Sequence, residues 1–154
     1  MGYRNTTEYS YPLLKFPIKE TALQSIVTKH SEQPKENTPE NTPTIDSSIN
    51  LLVAEDNVMN QIVIKKILRS IGYSKITVVE NGQKAVEAAT NTHFDIILMD
   101  CMMPIVSGIE ATEMIRNTLE PGKQPFIIAL TADAFKENAN NCIAVGMNEV
   151  ITKP

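Results

Sequence analysis

The chain lacks the features that mark nucleic-acid-binding and membrane-spanning proteins. Its formal net charge is −4 and its pI is about 5.2, so it has no broad basic surface to neutralise phosphates. No stretch approaches the roughly 18 apolar residues of a membrane span, and the N-terminus has no signal-peptide pattern. We therefore expect a cytoplasmic protein without a nucleic acid partner and without membrane contact.

Cysteine is scarce as well. Only Cys101 and Cys142 occur, and neither belongs to a CxxC motif or lies near a histidine cluster, which disfavours a structural metal site. The two residues fit small buried apolar side chains in a reducing compartment.

The composition indicates one globular domain preceded by an extension. A chain of 154 residues with 42% hydrophobic content is long enough to bury a core without covalent staples. Residues 30–48 are rich in Pro, Thr, Glu, Asn and Ser, and they contain the tandem repeat ENTP-ENTP, which is typical of a disordered linker. We therefore divide the chain into an N-terminal extension and linker, 1–49, and a folded domain, 50–154.

The extension contains one amphipathic pattern. Over residues 19–29 the spacing predicts a short helix with Ala22, Leu23, Ile26 and Val27 on one face. We expect this apolar stripe to be able to dock on another surface.

The domain alternates short apolar runs with helical patterns. The predicted strands are 50–54, 75–79, 94–99, 125–130 and 149–151, and the predicted helices are 58–71, 82–90, 107–118 and 133–145. Strands that are apolar on both faces, joined by helical crossovers, indicate a parallel sheet covered on both sides. We predict an α/β, doubly wound five-stranded parallel sheet of flavodoxin-like order 2-1-3-4-5, with no fifth helix after the last strand.

The ends of the predicted strands carry charged and hydroxyl groups. Glu55 and Asp56 follow strand 1, Asp100 follows strand 3, Thr131 follows strand 4 and Lys153 follows strand 5. Sheets of this order bind ligands beyond the carboxyl ends of the strands, at the switch point between strands 1 and 3. Because three close carboxylates repel each other and are hard oxygen ligands, the sequence predicts a Mg²⁺ site there. The hydroxyl and the amine beside it suit phosphoryl chemistry.

Taken singly, each residue has a structural explanation. Asp56 could cap helix 1, and Thr131 or Asp133 could cap helix 4. Lys153 could be a solvated surface amine, and Asp100 could be a turn residue. Their joint placement at the ends of four strands favours the functional interpretation.

Several motifs together resemble the receiver domains of two-component response regulators and hybrid histidine kinases. The resemblance covers residues 50–154 and depends on VAEDN (53–57), ENGQKAVEAA (80–89), LMDCMMPIVSG (98–108), IIALTA (127–132) and TKP (152–154). It is strongest for the receivers of hybrid kinases and phosphorelay proteins, in which EDN is followed by an asparagine, here Asn60.

The resemblance implies a role for each site residue. Glu55 and Asp56 would be the acidic pair, Asp100 the phosphoacceptor, and the backbone carbonyl of Met102 a further Mg²⁺ ligand. Thr131 would be the switch hydroxyl and Lys153 the amine that contacts the phosphoryl group. The implied donor is a phosphohistidine on a histidine phosphotransfer protein or a histidine kinase. The implied activity is self-catalysed phosphoryl transfer with slow autodephosphorylation, as part of a phosphorelay.

The sequence departs from the family pattern at three places. Val150 stands where the family usually has an aromatic switch residue, Val106 replaces a common methionine, and the chain ends at Pro154, before a fifth helix. Two other functions stay open. One is a pseudo-receiver that acts only as a protein-interaction module. The other is a flavodoxin-like cofactor binder, which the absence of a Ser-, Thr- and Gly-rich loop after strand 1 disfavours.

Overall fold

The computed structural model describes residues 48–132 and 136–152. Residues 1–47 of the extension and linker, with the helix predicted over 19–29, lie outside these residues, as do Asp133, Lys153 and Pro154. Five parallel strands form one sheet, and they are β1 Leu51–Ala54, β2 Ile76–Val79, β3 Ile96–Asp100, β4 Phe126–Thr131 and β5 Glu149–Thr152. The strand order is β2-β1-β3-β4-β5, which confirms the predicted doubly wound fold.

The described residues contain four α-helices and one short 3₁₀ helix. The α-helices are α1 Val58–Ser70, α2 Gly82–Asn91, α3 Gly108–Thr118 and α4 Lys136–Ala144, and the 3₁₀ helix is Pro121–Lys123. The predicted bounds agree with the first three helices to within one residue. Helix four was predicted from residue 133, and its described part begins at Lys136. No fifth helix occurs within 48–132 or 136–152.

Side-chain caps fix where the first three helices begin. The Oδ1 atom of Asn57 accepts hydrogen bonds from the backbone N–H groups of Met59 and Asn60 at 2.9 and 3.2 Å. Asn81 caps α2, and Ser107 forms a reciprocal capping box with Glu110. Such caps satisfy N–H groups that the helix itself leaves unpaired. Asn57 therefore caps α1, and the alternative in which Asp56 caps that helix is wrong.

The sheet is buried on both faces. On one face, α2, α3 and α4 pack over strand residues that include Leu52, Met99 and Ile127. On the other face, α1 packs through Ile64 and Leu68 over a second core cluster. Because β1, β3 and β4 point side chains into both layers, their apolar runs continue without polar alternation. Polar side chains that could carry chemistry are therefore expected at the loop edges of the sheet.

Candidate functional site

The strand register brings acidic residues that are distant in the chain to one edge of the sheet. Ala54 of β1 pairs with Met99 of β3, so Glu55 follows β1 beside Asp100, the last residue of β3. The strands β1 and β3 are neighbours in the sheet without being consecutive in the chain. The loops that follow them diverge to opposite faces and leave a crevice at the carboxyl edge.

Three carboxylates line this crevice. Glu55, Asp56 and Asp100 each place one carboxylate oxygen so that all three oxygens lie within 4.8 Å of one another. Glu55 and Asp100 are buried and Asp56 is exposed. Close like charges destabilise each other unless a cation compensates them. Three hard oxygen donors with one open side suit Mg²⁺, which keeps part of its water shell when bound.

The first turn of α1 holds Glu55 in position. Its Oε1 atom accepts hydrogen bonds from the backbone N–H of Asn57 at 3.2 Å and from Nδ2 of Asn60 at 3.1 Å. The side-chain amide of Gln61 donates to the backbone carbonyl of Glu55 at 2.6 Å. Gln61 was not among the site residues predicted from the sequence. Its position on the helix turn that follows the acidic pair was the available signal.

Local backbone groups orient Asp100. The N–H of Met102 donates to Oδ1 of Asp100 at 3.1 Å, so the turn geometry considered as an alternative does occur. The N–H of Cys101 donates to the carbonyl of Leu130 in β4 at 2.8 Å. The carboxylate is therefore oriented by its own loop while the backbone next to it is fixed to β4, and its role as a turn residue is compatible with a role in the site.

Two glycines allow the loop after β3 to pack closely. A Cβ at Gly108 would collide with the backbone oxygen of Asp100, and a Cβ at Gly82 would collide with the backbone oxygen of Val106. The N–H of Gly82 also donates to that Val106 oxygen at 3.1 Å. Residues without a side chain are needed where two backbones approach this closely.

The same loop contains a strained residue. Ile105 has a φ of +74° although it is not a glycine, and its side chain is 76% exposed. A β-branched residue in this left-handed region is a genuine outlier, and strain of this kind collects at functional sites.

The remaining predicted residues lie at the same edge of the sheet, as far as the structure describes them. Thr131 ends β4, is buried and pairs in register with Thr152 of β5. Lys153 directly follows Thr152 and lies outside the described residues. Val150, where the family usually has an aromatic residue, is 1% exposed and packs in the core layer beneath α2 to α4.

An apolar surface borders the carboxylates. Val58, Met59 and Ile62 on the outer side of α1 are 64%, 67% and 55% exposed, and Met102 is 76% exposed. The helix begins two residues after Asp56, so these side chains lie next to the crevice. Exposed apolar groups clustered in this way mark interaction surfaces.

This geometry agrees with the comparison to known protein families. Residues 51–154 match the model of the response regulator receiver domain. The chain belongs to this family. The match confirms the resemblance inferred from the sequence motifs.

The receiver is similar to parts of much longer signalling proteins. It is 43% identical over 109 residues to hybrid signal transduction histidine kinase H of Dictyostelium discoideum, covering 69% of this chain and 8% of the relative. It is 42% identical over 106 residues to two-component system protein A of Emericella nidulans, covering 68% of this chain and 15% of the relative. The chain thus spans a small fraction of these curated relatives.

Solved receiver domains have the same architecture. The receiver of the sensor histidine kinase PA1611 from Pseudomonas aeruginosa PAO1, solved with a magnesium ion in its active-site cleft, is 44% identical with a TM-score of 0.62, and the match covers 69% of this chain and 85% of that one. The receiver of Ssk1 from Saccharomyces cerevisiae was solved with the histidine phosphotransfer protein Ypd1. It is 33% identical to this chain with a TM-score of 0.63, and the match covers 69% of this chain and 79% of that one.

The described part of the receiver holds no helix that is both long and apolar enough to cross a membrane.

Proposed function

We propose that this receiver is a phosphoacceptor of a two-component phosphorelay, in which Asp100 takes a phosphoryl group from a phosphohistidine. The observation that carries the proposal is the convergence of the Glu55, Asp56 and Asp100 carboxylates within 4.8 Å. Asp100 is the member of this group that ends a central strand and is oriented by the N–H of Met102. It therefore combines burial, orientation and proximity to a cation site.

The residues present fit a Mg²⁺ ion. The three carboxylates, together with the backbone carbonyl of Met102, would hold it, and water would complete its coordination. When bound, the ion would compensate negative charge on the transferring phosphoryl group. The magnesium-bound receiver of PA1611 supports this assignment, because it belongs to the same family and is 44% identical to this chain.

The transfer itself is a substitution at phosphorus. A carboxylate oxygen of Asp100 attacks in line with the leaving imidazole, so an O–P bond forms while the N–P bond breaks. Thr131 would donate a hydrogen bond to a phosphoryl oxygen, and the Lys153 ammonium would balance a further charge. The imidazole nitrogen of the donor leaves with the electron pair of the broken bond.

The product is an acyl phosphate, which water can hydrolyse. The receiver would therefore dephosphorylate itself slowly instead of turning over a substrate as a conventional enzyme does. The exposed side chain of Met102 stands two residues after Asp100, where its size would affect how water approaches the phosphoryl group.

A histidine phosphotransfer protein, or a histidine kinase, is the partner that fits the surface. Val58, Met59 and Ile62 present exposed apolar area beside the acidic crevice, and such area is typical of the core of a protein interface. A donor docked there would have its phosphohistidine close to Asp100. The complex of Ypd1 with the Ssk1 receiver supports this class of partner.

Intact mass measurement tests the proposal. After incubation with Mg²⁺ and acetyl phosphate, we expect the wild-type chain to gain the mass of one phosphoryl group. Asp100→Asn should abolish this gain. The control is Asp95→Asn, because Asp95 precedes the opposite end of the same strand, where its Oδ2 accepts from the N–H of Asn50 at 2.8 Å. Labelling that persists in Asp100→Asn would rule out Asp100 as the acceptor.

The pseudo-receiver alternative gives a different result. A domain that only binds partners would bind the phosphotransfer protein and would gain no mass with either small or protein phosphodonors. Measuring binding and labelling on the same sample therefore separates the two functions.

A further inference from the structure

Three side chains on the α1 face of the sheet are more deeply buried than α1 alone explains. Ile128 and Leu130 of β4 and Ile151 of β5 are all 0% exposed. They belong to the core cluster that also contains Ile64 and Leu68 of α1. The strand β5 is at the edge of the sheet, where side chains are usually the most accessible.

The dimensions of the sheet indicate that α1 is too narrow to cover β4 and β5. Neighbouring strands lie ~4.8 Å apart, so β5 lies roughly 14 Å from β1, three strands away. An α-helix with its side chains is about 10 to 12 Å wide. The helix α1 connects β1 to β2, so it lies over that half of the face. Among residues 48–132 and 136–152, the other three α-helices bury their residues on the opposite face.

We propose that the N-terminal segment 19–29 covers the β4–β5 half of this face. Among the described residues, α1 is the only α-helix whose residues join the core cluster on this face, so the occupant that we propose belongs to the N-terminal extension. The extension is long enough and contains the apolar stripe of Ala22, Leu23, Ile26 and Val27.

The entry of the chain into the domain supports this occupant. Ile49, just before β1, is partly buried and packs against the same core cluster. The upstream chain therefore joins the domain next to the face in question. The linker of residues 30–48 spans up to about 60 Å when extended, so it does not restrict the segment from reaching β5.

The segment would complete the core in the way a helix after β5 does in other doubly wound folds. It would make the stability of the receiver depend on residues that precede it in the chain. This proposal does not depend on phosphoryl transfer, since it concerns the face of the sheet and leaves the carboxyl edge unchanged.

Charge substitutions in the full 154-residue chain test the proposal. The double variant Leu23→Asp/Ile26→Asp places charges on the apolar stripe. The matched control Thr21→Asp/Thr28→Asp places the same charges on the opposite side of the predicted helix, because successive residues are about 100° apart. Both variants carry the same net charge.

We expect the stripe variant to lower the melting temperature by roughly 5 °C or more, with the control close to wild type. Hydrogen exchange should accelerate at least tenfold at the amides of β4 and β5, with less effect in β2. If the stripe variant prevents folding altogether, Leu23→Ala/Ile26→Ala should give the same pattern with a smaller shift.

Two results would overturn the proposal. One is an equal effect of the stripe and control variants on melting and exchange. The other is a wild-type melting temperature that rises with protein concentration, together with a stripe-variant melting temperature that does not depend on concentration. That result would assign the face to a second copy of the chain.

Discussion

Glu55 and Asp100 lie side by side although they are distant in the chain, because the pairing of Ala54 with Met99 aligns the ends of β1 and β3. Both carboxylates are buried, and the exposed Asp56 joins them within 4.8 Å. The fold thus brings three like charges together at the carboxyl edge of the sheet.

Asp56→Asn should have opposite effects on the metal-free and the metal-bound receiver. Without Mg²⁺, removing one of three close negative charges should raise the free energy of unfolding, by up to about 1 kcal/mol for an exposed group. With Mg²⁺, a ligand is lost, so the rise in melting temperature with added Mg²⁺ should shrink. Thermal melts across a Mg²⁺ titration measure both effects. A variant that keeps the full Mg²⁺ response would contradict the ligand role of Asp56.

Lys153→Ala should separate phosphoryl transfer from metal binding. An ammonium group compensates the phosphoryl charge and repels a cation, so Mg²⁺ affinity should stay the same or rise while labelling by acetyl phosphate slows by at least tenfold. Parallel Mg²⁺ titrations and labelling time courses on Lys153→Ala and Asp56→Asn give the comparison. Equal loss of Mg²⁺ affinity in the two variants would show that this division of roles is wrong.

Gly108→Ala should damage both stability and labelling. The new methyl group would collide with the backbone oxygen of Asp100, and overpacking of this kind costs about 1 to 3 kcal/mol. The displaced Asp100 should accept phosphoryl groups more slowly. Gly122→Ala is the control, since a Cβ at Gly122 has no neighbour within 4 Å. Urea unfolding and labelling rates for the two variants test whether the effect belongs to the contact.

Ile105→Gly should stabilise the receiver. The left-handed conformation at φ +74° costs an L-residue about 1 to 2 kcal/mol, and glycine avoids this cost. Little packing is lost because the side chain is 76% exposed. Ile105→Ala keeps the Cβ that causes the strain, so it should recover less stability. Chemical denaturation of both variants checks the order, and a larger gain from alanine than from glycine would contradict this explanation.

The sequence was sufficient to predict the sheet and the positions of its acids. Runs such as FDIILM and PFIIAL are apolar toward both faces, which is characteristic of parallel strands under helices. The acids that interrupt these runs then had to lie at strand ends. The register of Ala54 with Met99 follows from the fold, so the proximity of Glu55 and Asp100 was predictable before their distance was known.

Other parts of the site depend on contacts that no sequence pattern specifies. Gln61 reads as an ordinary polar helix residue until the structure shows its amide at the backbone of Glu55. Ile105 is β-branched and adopts a positive φ, whereas the preference of its side chain alone predicts a negative φ. The sequence suggested only Asp56 as a possible cap of α1, and the hydrogen bonds of the structure assign the cap to Asn57.

The two sides of the N-terminal part of α1 have different surroundings. Its inward side supports the acid, because Asn60 and Gln61 hold Glu55, whereas its outward side presents Val58, Met59 and Ile62 to solvent. Under the proposed function, substitutions among the outward residues would alter the choice of donor and leave the carboxylates where they are. Duplicated copies of such a domain could then diverge in their partners, and avoid crosstalk between parallel signalling routes, while they keep the same phosphoacceptor site.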